Sequence, residues 1–184
     1  MVIRDAYPNE LAVIGELRLA AYRADGFLAP DSAYAPRLRE LGWDGLGAVL
    51  VAVDSDGGPP LGTVMLQTWP NAGHVVQGPG EGEIRALAVL PEAQGAGVGR
   101  ALLTAVIDRA AREGINHLVL STQPDMKAAH HLYENAGFRR LPERDWSPEP
   151  GDPLLAYGLV VGVGVRGRGR QGWQARRLWL TTGA

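Results

Sequence analysis

Glu83-Ile-Arg-Ala-Leu-Ala-Val-Leu90, closed by Pro91, and Gln94-Gly-Ala-Gly-Val-Gly-Arg100 shortly after it decide the reading of this chain. The first run is apolar and ends on a proline, as a buried strand does. The second opens a helix predicted over residues 98–113. There Val98, Leu102, Val106 and Ala110 form one apolar row, Leu103 and Ile107 widen it, and Gly114 ends it. Between strand and helix, main-chain N–H groups point outward without intrahelical partners, and the helix dipole favours an anion. Glycines let the chain wrap tightly and let a phosphate approach with no side chain in the way. The same pattern also fits a plain tight turn, so taken alone it leaves both readings open.

Two other phosphate loops are excluded by the residues present. A nucleoside triphosphate loop ends in Gly-Lys-Ser or Gly-Lys-Thr, whereas Arg100-Ala101 stands here. A dinucleotide fingerprint needs a third glycine at position 100. The literal G-x-G-x-x-G at Gly162, Gly164 and Gly167 has only 17 residues after it and no following apolar helix.

Working outward, residues 2–6 read as a strand and 9–23 as a helix, with Leu11, Ile14, Leu17 and Ala21 in phase and Asn9 as its cap. A short amphipathic piece is expected over 37–41. Residues 48–54 and 61–69 form a hairpin around Asp54-Ser-Asp-Gly-Gly58. That turn lacks the later ligands and closing Glu of a calcium loop. Further on come a strand over 117–122, a helix over 126–135, an extended segment from Gly137 and a last strand over 154–161. Strands alternating with helices, together with a hairpin, indicate an α/β domain on a mixed sheet.

The chain has 184 residues, enough for one domain, and its hydrophobic (46%) and charged (21%) fractions suit a globular core. It has no cysteine, which rules out disulfides and thiolate metal sites. No run of eighteen apolar residues occurs, so no membrane span is expected. The beginning does not read as a secretory signal, and the expected location is cytoplasmic. Five of the 18 basic residues and none of the 20 acidic ones lie in 163–184, so the body holds 13 basic against 20 acidic groups. An acidic body points toward cationic substrates and away from nucleic acid.

Gln94-x-x-Gly97-x-Gly99, eleven residues after Glu83 and preceded by Leu87-Ala88-Val89, resembles the coenzyme A loop of the GCN5-related N-acetyltransferases (GNAT). Ala129-x-x-x-Tyr133-x-x-x-Gly137-Phe138 is similar to that family's second motif. The resemblance covers roughly residues 2–160. It implies a GNAT-type α/β fold: a mixed, largely antiparallel central sheet flanked by helices and splayed between the fourth and fifth strands. A domain over 1–161 and a flexible Gly/Arg-rich tail over 162–184 follow from it. It also implies acetyl-CoA as acyl donor, no metal, and transfer to a primary amine by direct attack in a ternary complex. By the same resemblance Gln94, Gly95, Ala96, Gly97, Val98, Gly99, Arg100 and Ala101 would hold the pyrophosphate through main-chain amides. Leu87, Ala88 and Val89 would run beside the pantetheine arm. In one departure, Met126 stands where the family often has Asn, so that hydrogen bond is lost or supplied by Gln123 or Lys127.

Acyl transfer to an amine needs a group to take the ammonium proton, stabilisation of the carbonyl oxygen, and a proton for the departing thiolate. Glu83 is the candidate base, with a pairing to Arg85 as its alternative role. Glu81, working through a water, is held in reserve. Tyr133 is the candidate proton donor to sulfur, or else a core aromatic. The Val89 amide would polarise the carbonyl. Adjacent His130 and His131 point about 100° apart on a helix and cannot clamp one metal together. His74 lies in a glycine-rich loop that could border substrate entry. The resemblance places the acceptor side at residues 22–34, 69–76 and 144–146. There Asp25, Asp31, Tyr22, Tyr34 and Trp146 are candidates to receive a cation.

The expected partner is a small-molecule or peptide amine, without membrane or nucleic acid, and the chain is expected to be a monomer or homodimer. Two alternatives remain. One is a non-catalytic coenzyme A sensor on the same fold. The other is a nucleic-acid module led by the arginine-glycine tail with Trp173 and Trp179.

Overall fold

A computed structural model describes residues 1–55 and 57–162. The expected arginine-glycine tail falls outside the described residues, apart from Gly162. In chain order the elements are β1 (Val2–Asp5), α1 (Leu11–Ala24), α2 (Ala35–Glu40), β2 (Gly47–Val53), β3 (Pro60–Thr68), β4 (Glu81–Val89), α3 (Val98–Arg112), β5 (His117–Thr122), α4 (Lys127–Asn135), β6 (Arg139–Arg140) and β7 (Leu155–Val160). The strands form one seven-stranded sheet in the order β1-β2-β3-β4-β5-β7-β6. Every neighbouring pair is antiparallel except β4–β5. The α/β class, the mixed sheet and nearly every predicted element therefore stand.

One local reading differs. Asn9 does not cap α1, because a 3-10 turn over Pro8–Glu10 precedes the helix. Glu10 closes that turn instead, accepting from the Tyr7 N–H at 2.8 Å and from Arg4 at 2.8 Å. The Arg4 bond holds the Glu10 carboxyl below its ordinary pKa.

The sheet buries both faces. On one side Leu50, Val64, Leu66, Ile84, Leu118 and Leu120 meet Leu102, Leu103 and Val106 of α3 and Tyr133 of α4. On the other, Val51, Val53 and Met65 meet Ile14 of α1, while Ala88 packs on Leu17 and Ala21. Each fully buried leucine or valine contributes about 2 kcal/mol by its transfer from water. Helices on both faces thus clamp β3 and β4 at the centre.

Two irregularities at β4 shape the cleft. Glu81 to Ile84 pair in parallel with His117 to Leu120, and beyond Ile84 the two strands share no further pair. β5 turns instead to β7, with Ser121 and Thr122 opposite Ala156 and Leu155. The sheet therefore opens between its fourth and fifth strands, as expected. On the other edge of β4, Thr63 faces Ala88 while Met65 faces Arg85. One extra residue lies on β4 at this point, a β-bulge, and Ala86 there takes φ of 49°. An alanine in that left-handed region costs roughly 1 kcal/mol, which the helices packed on both faces offset.

Candidate active site

The glycine loop leaves the end of β4 through a 3-10 turn, Pro91–Ala93, and enters α3 at Gly97. Gly95 and Gly97 take φ of 77° and 82°, a region closed to most side chains. Gly97 offers no side-chain cap, so the first amides of α3 remain available to an anion. Gln94 does not reach outward. Its Nε2 donates to the Val89 carbonyl at 3.3 Å and to Asp25 at 3.2 Å, tying the loop to the end of α1. Residues 94 to 96 are exposed, and Val98 is buried in the core beneath them. Beside the loop lies an open groove of about 520 Å³ lined by Ala96, Gly97, Arg100, Ala101 and Thr104.

Above this helix start, Gly99 faces Leu132 of α4 and Val89 of β4. A methyl group placed on it would lie 3.5 Å and 3.7 Å from their side chains, in ordinary contact. Gly99 is therefore not demanded by the fold; it keeps open the space between α3, α4 and the splayed edge. Backbone at Leu87 to Val89 has no β5 partner on that edge. This loop and edge suit the diphosphate and pantetheine of coenzyme A, a fit carried by backbone rather than by side chains.

Glu83 and Tyr133 come from different elements, β4 and α4. Glu83 is buried on the α1 face of β4, and its Oε2 accepts from the Gly73 N–H at 2.7 Å. Burial raises its pKa, while Arg85, the Gly73 amide and His74 offset part of that rise. Its contact with Arg85 is loose, 3.9 Å from Nε, because Arg85 donates through Nη1 to Gln67 at 2.7 Å. Tyr133 lies on α4 against Phe138 and Tyr157, with ring centroids 5.9 and 6.3 Å away. Burial alone pushes its phenol upward, which keeps the proton on oxygen. Tyr22 of α1 is raised by burial and next by Tyr133, so the two phenols come close enough to feel one another.

Glu81, the reserve base, is tied up by its surroundings. It accepts from Arg144 at 2.9 and 3.0 Å and from the Gln77 N–H at 2.7 Å, and its Oε1 lies 2.8 Å from His117 Nδ1. Burial by itself would raise its carboxyl. The Arg144, Gln77 and His117 hydrogen bonds outweigh that and hold it at about 2, too weak to take a proton from an ammonium. Its role is to brace residues 75–77 and the segment bearing Arg144 against β5. Trp146, on the same segment, donates from Nε1 to Ser121 Oγ at 3.0 Å and lies 5.1 Å from the His74 ring.

The remaining candidates divide. Gln123 donates to the Phe27 carbonyl at 3.2 Å and fastens the α1–α2 connection to the end of β5. Met126 takes the Thr122 hydroxyl on its sulfur at 3.4 Å, and Lys127 is exposed. Buried His130 contacts the Gln123 carbonyl at 3.0 Å, and His131 is exposed. Asp25 accepts from Gln94, and Asp31 is exposed. Sequence reasoning passed over Arg18, Gln67 and Gly73 on this side. Arg18 had a legible signal: it lies four residues after Ile14 and four before Tyr22, on the apolar face of α1.

Comparisons agree with this geometry. The family model described as "Acetyltransferase (GNAT) family" matches residues 15–138. A GNAT acetyltransferase from Staphylococcus aureus Mu50 is 18% identical, with a TM-score of 0.69 over 88% of this chain and 99% of that one. A GCN5-related N-acetyltransferase from Kribbella flavida is 25% identical, with a TM-score of 0.64 over 86% and 96%. The yncA protein of Salmonella typhimurium, solved with its cofactor acetyl-CoA, is 24% identical, with a TM-score of 0.61 over 88% and 94%. Comparison with curated protein sequences returned no match.

Proposed function

The chain belongs to the GNAT acetyltransferase family, and from that premise we propose that it transfers an acetyl group from acetyl-CoA to a primary amine in a ternary complex. The observation that carries this reading is the sheet opening beyond Ile84, with an uncapped helix start after the same strand. When bound, acetyl-CoA supplies a thioester whose acyl carbon accepts nitrogen. The amides of residues 95–101 hold its diphosphate, with Gln94 securing the loop, and the edge of Leu87, Ala88 and Val89 aligns its pantetheine arm.

Glu83 takes the proton that the amine must lose before or as its nitrogen attacks. Its raised pKa fits that task better than an ordinary surface carboxylate would. The Val89 N–H faces the carbonyl oxygen as negative charge gathers there. As the new C–N bond forms and the C–S bond breaks, the Tyr133 hydroxyl donates its proton to sulfur. The cytoplasm is the compartment we propose for the reaction, on the sequence reading alone. No described helix is long and apolar enough to cross a membrane.

Calorimetry with acetyl-CoA, followed by thiol release with a panel of primary amines, tests the reading. Binding with amine-dependent thiol release is expected. Binding without release for any amine would instead support a coenzyme A sensor, and no binding at all would remove the proposal.

A further inference from the structure

The acceptor wall of this cleft carries more positive charge than its carboxylates balance. Arg18 of α1 is fully buried. Its Nη1 donates to the Leu41 carbonyl at 2.7 Å and reaches that of Leu38 at 3.5 Å. Its Nε and Nη2 are buried with no hydrogen-bond partner. Arg85 of β4, a quarter exposed, is bound to the neutral amide of Gln67 and lies 3.9 Å from Glu83. Every other described arginine is either exposed to water or within 2.9 Å of a carboxylate oxygen.

Arg18 belongs to α1, and Arg85 to the face of β4 that α1 covers. Burial holds the Arg18 guanidinium down at about 10; the phenols of Tyr22 and Tyr34 offset part of that, and the Arg85 charge adds to it. Two sheltered cations near one another, with donors unspent, are unfavourable in an empty protein and favourable around an anion. A guanidinium fork matches a planar carboxylate in particular, through paired N–H donors. Along β4, Glu83 and Arg85 stand side by side on one face, with 3.9 Å between Glu83 Oε2 and Arg85 Nε. A small zwitterion seated there meets both: ammonium against carboxylate, carboxylate against guanidinium.

We propose that the acceptor is an amine that also bears a carboxylate, an amino acid or a close relative, with Arg85 and Arg18 holding the carboxylate while the amine faces Glu83. This rests on the acetyl-transfer reading above and narrows its substrate class. It replaces the expectation, drawn from the acidic body, of a purely cationic substrate. Gln67 sets the orientation of Arg85, accepting from its Nη1 at 2.7 Å.

The test titrates the full chain with the N-acetyl forms of the twenty amino acids, each beside its C-terminal amide, and separately with acetyl-CoA. At least one acid is expected to bind tenfold or more tighter than its amide, and Arg85→Ala should erase the difference. Arg18→Met should weaken the same acid about tenfold while leaving the melting temperature unchanged or higher, since it removes an unpaired buried charge. Equal binding of acids and amides, binding of neither, or a preference that survives Arg85→Ala overturns the proposal. A lower melting temperature with unchanged affinity in Arg18→Met removes Arg18 from it. N-acetylaminomethylphosphonate binding more tightly than N-acetylglycine overturns the carboxylate assignment in favour of another oxyanion. Heat from acetyl-CoA without acid preference leaves acetyl transfer standing alone. Acid preference without heat from acetyl-CoA leaves the carboxylate site and removes acetyl transfer.

Discussion

The two sides of the cleft are built from different materials. The side proposed to hold the donor is backbone: glycines at 95, 97 and 99, an uncapped helix start, and a strand edge that lacks a β5 partner. The side proposed to meet the acceptor is side chain: Glu83 and Arg85 from β4, Arg18 and Tyr22 from α1, Gln67 from β3 and Trp146 from the segment before β7. A backbone site recognises a constant group and tolerates few residue types. A side-chain site can be respecified one residue at a time, which suits the half of a reaction whose partner varies.

Tyr133→Phe has the largest expected effect on this division. If the phenol donates a proton to sulfur, kcat falls by about a hundredfold or more while acetyl-CoA affinity holds. A loss of affinity equal to the loss of rate would place Tyr133 with the donor side instead. Glu83→Gln comes next, with a fall of roughly 30-fold in kcat/KM. If Glu83 is the base, the rate should rise as pH passes its raised pKa, and the variant should lose that limb. A pH–rate profile with the limb intact would assign the proton to another group.

Glu81→Gln sharpens the contrast within β4 itself. Glu81 and Glu83 lie on the same strand two residues apart, yet one is locked by Arg144, Gln77 and His117 while the other is held by a single amide. The folded Glu81 pKa is depressed to about 2 from 4.5, so its contribution is present above pH 4.5 and lost as pH falls toward 2. Its substitution should cost on the order of 2 kcal/mol at neutral pH, flatten acid unfolding, and change kcat less than threefold. A large rate loss with stability kept would return Glu81 to the mechanism. Gly99→Ala is the smallest effect. Its methyl group meets only ordinary contacts, so stability should shift by less than about 0.5 kcal/mol. Acetyl-CoA affinity should drop by about tenfold, since the methyl enters the space between α3, α4 and the strand edge.

The same division explains what could be read in advance. The Gln94–Arg100 spacing and the row Val98, Leu102, Val106 are local patterns, so loop, helix and sheet type were legible residue by residue. Tyr133 was visible through its spacing to Gly137 and Phe138. Gln67 was not, because its significance arises only when β3 is laid beside β4; Arg18 stood in view on the apolar face of α1, but its unpartnered donors show only in the fold. The Glu81 and Glu83 environments were illegible for a similar reason. What separates them is Arg144, sixty-three residues downstream, and the Gly73 amide. Asn9 misled because Glu10, one residue on, made the better contact with the Tyr7 amide.

The supernumerary residue at Ala86 works as a half-step in the strand's alternation. Before it, odd-numbered side chains such as Glu83 and Arg85 look toward α1; after it, Ala88 does, and Leu87 and Val89 look the other way. Without that half-step, one parity would run the length of β4, and Val89 would be turned toward α1 and away from Gly99. Straightening the bulge with Ala86 retained would put the two halves of the cleft out of phase, whereas deleting Ala86 would give a regular strand with Glu83, Arg85 and Ala88 still toward α1 and Val89 still away from it.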